Sequence, residues 1–221
     1  MATRTLPLFP LKVVLFPGMV LPLHIFEPRY RQMVRRCLAE QLMFGVVLIK
    51  EGEEVGEPAE PFSTGTLAAI QEINHYEDGR MDLVTVGVSR FRLLEPIQGE
   101  PYAQGLVEVL DDPQTQADAE AARDIHALFE QYLHMLGQIA DVPLAMPEPG
   151  ADAVQLSYHV ATVIPIGLIE KQRLLEMPSV GDRLEAEREI LCRETQRVQE
   201  FASLSREKGY FYYRGKRLSL N

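Results

Sequence analysis

Three side chains in this sequence are spaced as a metal site begins. His126, Glu130 and His134 stand at i, i+4 and i+8, so on a helix they share one stripe. Imidazole and carboxylate both bind zinc, and two such ligands one turn apart can hold one ion. A third in the same stripe converges poorly, because each step of four residues overshoots a turn by about 40°. No second cluster supplies a fourth ligand at a clear spacing, and the stripe lies opposite Leu128, Tyr132 and Leu136. The pattern reads as the solvated face of an amphipathic helix. No metal and no other cofactor is expected.

The remaining polar residues offer little more. His24, in an apolar run beside Pro22, reads as a packed, hydrogen-bonded histidine; His75 reads as exposed and His159 as structural. Glu51, Glu53, Glu54, Glu57 and Glu60 lack the ligand spacing of a calcium loop and read as solvated. There is no G-x-x-x-x-G-K-[ST], hence no backbone cradle for nucleotide phosphates. There is no G-x-S-x-G turn and no convincing Ser–Lys or other nucleophile–base pair. No catalytic residue is assigned, and the chain is read as not an enzyme; a hydrolase with an unrecognised site is the alternative that a turnover assay would revive.

Charge separates the remaining classes. The net charge of −10 opposes general nucleic-acid binding, which draws its affinity from basic patches. Residues 201–221 carry five Lys and Arg against Glu207 alone, net +4, so the other 200 residues carry −14. Tyr210, Phe211, Tyr212 and Tyr213 beside Arg214, Lys216 and Arg217 could stack bases, but docking on the acidic body is the simpler expectation. Cys37 and Cys192 are far apart and read as reduced thiols, as suits a cytoplasmic chain. No run approaches the ~18 apolar residues a bilayer span needs, and prolines interrupt the N-terminus before a signal peptide's apolar core can form.

The elements that would position any site are organised around Leu6–Tyr30, LPLFPLKVVLFPGMVLPLHIFEPRY. Its five prolines exclude one long helix. Two strands are expected, Lys12–Phe16 and Met19–Ile25, joined by a type II turn at Pro17-Gly18, with Pro22 at a sheet edge or bulge. A helix follows Pro28, with Tyr30, Met33, Val34, Cys37 and Leu38 on its apolar side. Further strands are expected at Gln41–Lys50, Thr64–Asn74, Met81–Val88, Arg90–Leu94 and Tyr102–Leu110, with a hairpin turn at Asp78-Gly79. Six or seven strands with one helix suggest a closed or nearly closed barrel over residues 1–113. Four helices are expected after Pro113, over Thr115–Ala140, Asp152–Ile164, Gly167–Met177 and Ser179–Ser205, giving a bundle at 114–205 and a basic aromatic tail at 206–221. The class is α+β.

The opening PLFPLKVVLFPGMVLPLHIFEPRYRQMV resembles the start of the Lon N-terminal domain family, the substrate-recognition region of Lon proteases. VGVSRFRLLEP, GEPYAQGLVEVLDD and VATVIPIGLIEKQRLLEMPSVGDRLEAEREIL resemble the later parts of the same region, so the similarity covers roughly residues 6–200. The resemblance implies a PUA-like β-barrel followed by a helical bundle, and a stand-alone recognition or adaptor module without the ATPase and protease domains. Its implied ligands are unfolded or extended polypeptide segments, with a protease or chaperone as an associate and a homo-oligomer as one arrangement. Because PUA-like barrels include RNA binders, nucleic-acid binding is the other alternative. More large apolar residues crowd the opening stretch than two strands need for one core. Phe16, Met19, Phe26 and Tyr30 are the candidates for a peptide-binding groove between barrel and bundle.

Overall fold

The computed structural model describes residues 3–54, 60–97, 101–140 and 152–207. Its elements run β1 (Thr3–Leu11), β2 (Val20–Ile25), α1 (Pro28–Glu40), β3 (Phe44–Glu51), β4 (Glu60–His75), β5 (Met81–Ile97), β6 (Gln104–Val109), α2 (Gln116–Ala140), α3 (Ala153–Val163), α4 (Leu168–Glu176) and α5 (Val180–Glu207). The sheet order is β2-β5-β4-β3-β1-β6, and β6 pairs back onto β5. The strands β1, β3, β4, β5 and β6 therefore close a barrel. β5 serves two ladders: Met81–Val86 pair with β2, and Phe91–Ile97 pair with β6. Register shifts within β4–β5 and β5–β6 bend the long strands enough to close the ring.

The first strand lies earlier than expected. Lys12–Phe16 forms no strand; the ladder residues are Thr3–Leu11, through Pro7 and Pro10. Prolines are tolerated because each half of β1 is laddered on one side: Thr3–Pro7 run antiparallel to β6, and Leu8–Leu11 run parallel to β3. β2 is an edge strand, with Pro22 opposite Val84. Arg90–Leu94 is not a separate strand but part of β5, whose inward set Met81, Leu83, Thr85 and Gly87 gives way to Arg90 and Phe91 after Val88.

Three apolar clusters hold the chain. Leu6, Leu8, Val47, Leu67, Phe91 and Val107 bring side chains from all five closed strands together and fill the barrel. Tyr30, Met33, Val34 and Cys37 of α1 pack on Phe9, Phe44, Val46, Met81 and Leu83. Their spacing of three and four residues puts them on one face, and Leu38, expected on that face, is exposed instead. The third cluster joins α2 (Ile125, Phe129, Tyr132, Leu133), α3 (Leu156, Tyr158, Val160), α4 (Leu174, Leu175) and α5 (Leu184, Leu191) to Val14 and Phe16 of the segment after β1. Burying each such side chain stabilises by roughly 1.5–3 kcal/mol.

α3 is capped by Asp152, whose side chain accepts the Gln155 N–H at 2.8 Å. Among the described residues no helix is long and apolar enough to cross a membrane. The expectations for the loop at 141–150, for Glu57, and for Tyr210–Tyr213 with Gly215 and Lys216 lie outside the described residues.

Candidate functional site

A cleft of about 1150 Å³ runs between barrel and bundle. Its barrel wall is the Pro17–Val20 segment and Val88–Ser89 of β5; its other wall is α3, with Gln155, Tyr158, His159 and Thr162. The connector Leu110–Gln114, between β6 and α2, lies along it. The barrel wall is built by the Pro17-Gly18 turn: Met19 N–H donates to the Phe16 carbonyl at 3.0 Å, and Gly18 has φ +81°, which its lack of a Cβ permits. Gly87 of β5 pins this turn, because Gly18 N–H donates to the Gly87 carbonyl at 2.8 Å and Gly87 N–H to the Met19 carbonyl at 3.0 Å. A Cβ at Gly87 would run into the Phe16 carbonyl oxygen. The turn leaves Val20 57 % and Val88 45 % exposed on the rim, with Met19 half-buried beside them.

Beneath the cleft lies a polar joint. Arg90, 1 % exposed, donates to the Leu175 and Met177 carbonyls at 2.9 and 2.7 Å and to the Asp112 carboxylate at 2.6 Å. Asp112 also accepts the Tyr158 hydroxyl at 2.6 Å and lies 3.6 Å from Arg183. Burial pushes the Tyr158 hydroxyl well above its ordinary range, so it stays protonated and donates. Arg183 stacks over the Tyr158 ring at 4.1 Å and donates to Ser157, which donates to Glu187 at 2.8 Å. Glu187 is fully buried, and burial holds its carboxyl well above the usual carboxylate range. On the wall above, burial lowers the His159 imidazole, which packs edge-on against Phe129, so it is neutral at neutral pH. Among the described residues Arg90, Asp112, Tyr158 and Ser157 are engaged with one another or with carbonyls, whereas His159 Nε2, Glu187 Oε2 and both terminal nitrogens of Arg183 have no hydrogen-bond partner.

The four residues expected in a groove are not gathered in one place. Met19 lines the cleft. Phe16 lies behind it, with no exposed surface and its ring 6.2 Å from that of Tyr158. Tyr30 is buried on α1 with its ring 4.2 Å from Phe9. Phe26 is 51 % exposed but follows the far end of β2, near His24. Sequence reasoning missed Val20, Val88, Asp111 and α3, because nothing local says which strand end meets which helix.

His24 is hydrogen-bonded but not packed: it is exposed, with Nδ1 2.5 Å from Asp82. The Tyr76 hydroxyl also donates to Asp82 at 2.5 Å, and these two bonds, Tyr76 first, hold the Asp82 carboxyl below its ordinary value. His24 and Asp82, with Pro22, Glu72, Asn74 and Val84, line a smaller depression of about 470 Å³ on the outer sheet face. His126, Glu130 and His134 do not converge: Glu130 and His134 are exposed, and His134 bonds Gln138 at 2.9 Å. Cys37 is buried and Cys192 exposed, both as free thiols.

Comparison with known proteins covers this whole assembly. The family described as the ATP-dependent protease La (LON) substrate-binding domain matches residues 5–193. A Lon protease of Parabacteroides distasonis is 31 % identical over 206 residues, covering 90 % of this chain and 25 % of that protein. Lon protease 2 of Syntrophobacter fumaroxidans is 28 % identical over 202 residues, covering 89 % of this chain and 25 % of that one. The chain thus spans about a quarter of the length of these relatives. The crystal structure of a Lon N-terminal domain protein from Xanthomonas campestris superposes with a TM-score of 0.61 at 25 % identity, covering 82 % of this chain and 95 % of that one. The N-terminal domain of a Mycobacterium avium complex Lon protease, at 17 % identity and a TM-score of 0.60, covers 86 % and 98 % and shares the fold.

Proposed function

Since the chain belongs to the Lon substrate-binding domain family, we propose that it is a non-catalytic recognition module that holds unfolded or extended polypeptide segments in the cleft between barrel and bundle. The observation that carries this reading is the family match over residues 5–193, which takes in both walls of the cleft. The cleft suits an extended chain. Val20 and Val88 offer apolar contact on the rim, and Met19 adds a flexible side chain that adapts to different partners. The matched region is described as the substrate-binding one, which supports recognition as the role of these residues. A protease or chaperone as associate, self-association, and a cytoplasmic location agree with this role.

The test is fluorescence anisotropy of a labelled, permanently unfolded protein, with its folded form and an RNA oligomer as controls. Dissociation constants near the micromolar range, about −8 kcal/mol, are expected for the unfolded chain alone. Met19→Asp in the cleft should weaken binding about tenfold or more, while Phe26→Ala leaves it unchanged. Binding of the folded control or the RNA with equal affinity would overturn the reading.

A further inference from the structure

The cleft is chemically lopsided. Among the described residues its lining includes Asp111, Asp112 and Asp152 but no Lys or Arg. Asp112 is engaged by Arg90, Tyr158 and Arg183. Asp111 and Asp152 are exposed, and among the described residues neither pairs with a cation; the Asp152 carboxylate accepts only the Gln155 N–H. Arg90 and Arg183 are 1 % and 0 % exposed, and both are held by groups beneath the cleft. Beside the two carboxylates stand the apolar rim residues Val20 and Val88.

We propose that this cleft selects polypeptide segments in which Lys or Arg stand next to large apolar residues, and disfavours acidic segments. The inference rests on the polypeptide-recognition reading and gives it a specificity. Cationic side chains complete the unpaired Asp111 and Asp152, while apolar neighbours cover Val20, Val88 and Met19. An acidic segment of the same apolar content meets uncompensated like charge, which acts against a wrong ligand as strongly as pairing favours the right one. The chain's net charge of −10 adds long-range attraction for the same class and repulsion of nucleic-acid phosphates.

The experiment uses the full chain and three labelled twelve-residue peptides of shared apolar content, carrying Lys, Gln or Glu at the same polar positions. Each exposed carboxylate–cation pair contributes roughly two- to fivefold, so the Lys peptide should bind about tenfold tighter than the Gln peptide, and the Glu peptide weaker still. Raising the salt should shrink the gap. Asp111→Asn with Asp152→Ser, where Ser keeps the helix cap, should remove the preference, so that the Lys and Gln peptides bind within about twofold of each other. Gln155→Lys, an exposed change on the cleft wall, should shift the preference toward the Glu peptide; it serves as the second variant if the first unfolds. Equal binding of all three peptides overturns the charge selectivity and leaves polypeptide recognition standing. A preference that survives both variants overturns the assignment to this cleft. Binding of no peptide and no unfolded protein, or of RNA in their place, overturns the underlying reading as well.

Discussion

Replacing Arg90 with methionine tests what joins barrel to bundle. The side chain is 1 % exposed and reaches from β5 to the turn between α4 and α5. Methionine keeps much of the volume but none of the donors to Leu175, Met177 and Asp112. Each buried carbonyl left without a partner costs about 1–3 kcal/mol. Asp112 is not abandoned, because the Tyr158 hydroxyl at 2.6 Å and Arg183 at 3.6 Å remain. The cost of breaking this buried pair therefore falls toward the lower end of the usual range, about 3–4 kcal/mol. For a chain of this size each 1 kcal/mol moves Tm by about 2–4 °C, so a drop of roughly 6–16 °C is expected. Far-UV circular dichroism on heating, with a matched urea titration, reads it. Pairing the change with Asp112→Asn in a double-mutant cycle should give a coupling above about 1 kcal/mol. A loss under about 1 kcal/mol for Arg90→Met, or full additivity in the cycle, would refute the claim that this ion pair fastens the two parts together.

Other expectations follow from the same geometry. Burial raises the Glu187 carboxyl well above its ordinary 4.5, so the folded chain holds a proton that the unfolded chain releases. Stability then falls as pH rises from about 4.5 toward that raised value; Glu187→Gln should flatten this slope in urea titrations across the window, and an unchanged slope counts against the buried acid. Burial likewise pushes the Cys37 thiol up to about 11, whereas Cys192 is exposed. Iodoacetamide should therefore label Cys192 in the native chain and Cys37 only in urea; rapid native labelling of Cys37 would contradict its burial. Gly87→Ala should force the Phe16–Met19 turn off β5, costing roughly 1–3 kcal/mol and weakening peptide binding. A variant with unchanged stability and unchanged affinity would show that the turn has room to spare.

Much of the architecture was written in local pattern. The Pro17-Gly18 turn, the helix opened by Pro28, and the four later helices each follow from residues within a turn or two of one another. β1 was misread because its prolines look like strand breakers, and only the pairing of each half to a different neighbour makes them harmless. Phe16 and Tyr30 have the composition of groove residues, but the segment after β1 and α1 turn them inward. The joint among Arg90, Asp112, Tyr158 and Arg183 was invisible for a different reason. Its members come from β5, the connector after β6, α3 and α5, and no periodicity links them. Only Met19 of the four groove candidates meets the cleft, and its partners on α3 could be named only once the chain was folded.

Closure of the barrel by β1 and β6 also sets an order of events during synthesis. Thr3 pairs with Glu108, so the first strand made waits for the last strand of the ring. β1 can pair with β3 once Leu48 has emerged, but roughly 60 more residues must follow before β6 arrives. At about 5–20 residues per second that interval is about 3–12 s. Throughout it, the Thr3–Pro7 edge is open to any passing strand. Pro7 lies on that edge, and Pro10 three residues beyond its end, each without an N–H to offer. The prolines that disguise β1 as a loop are well placed to keep the nascent edge from pairing with the wrong chain.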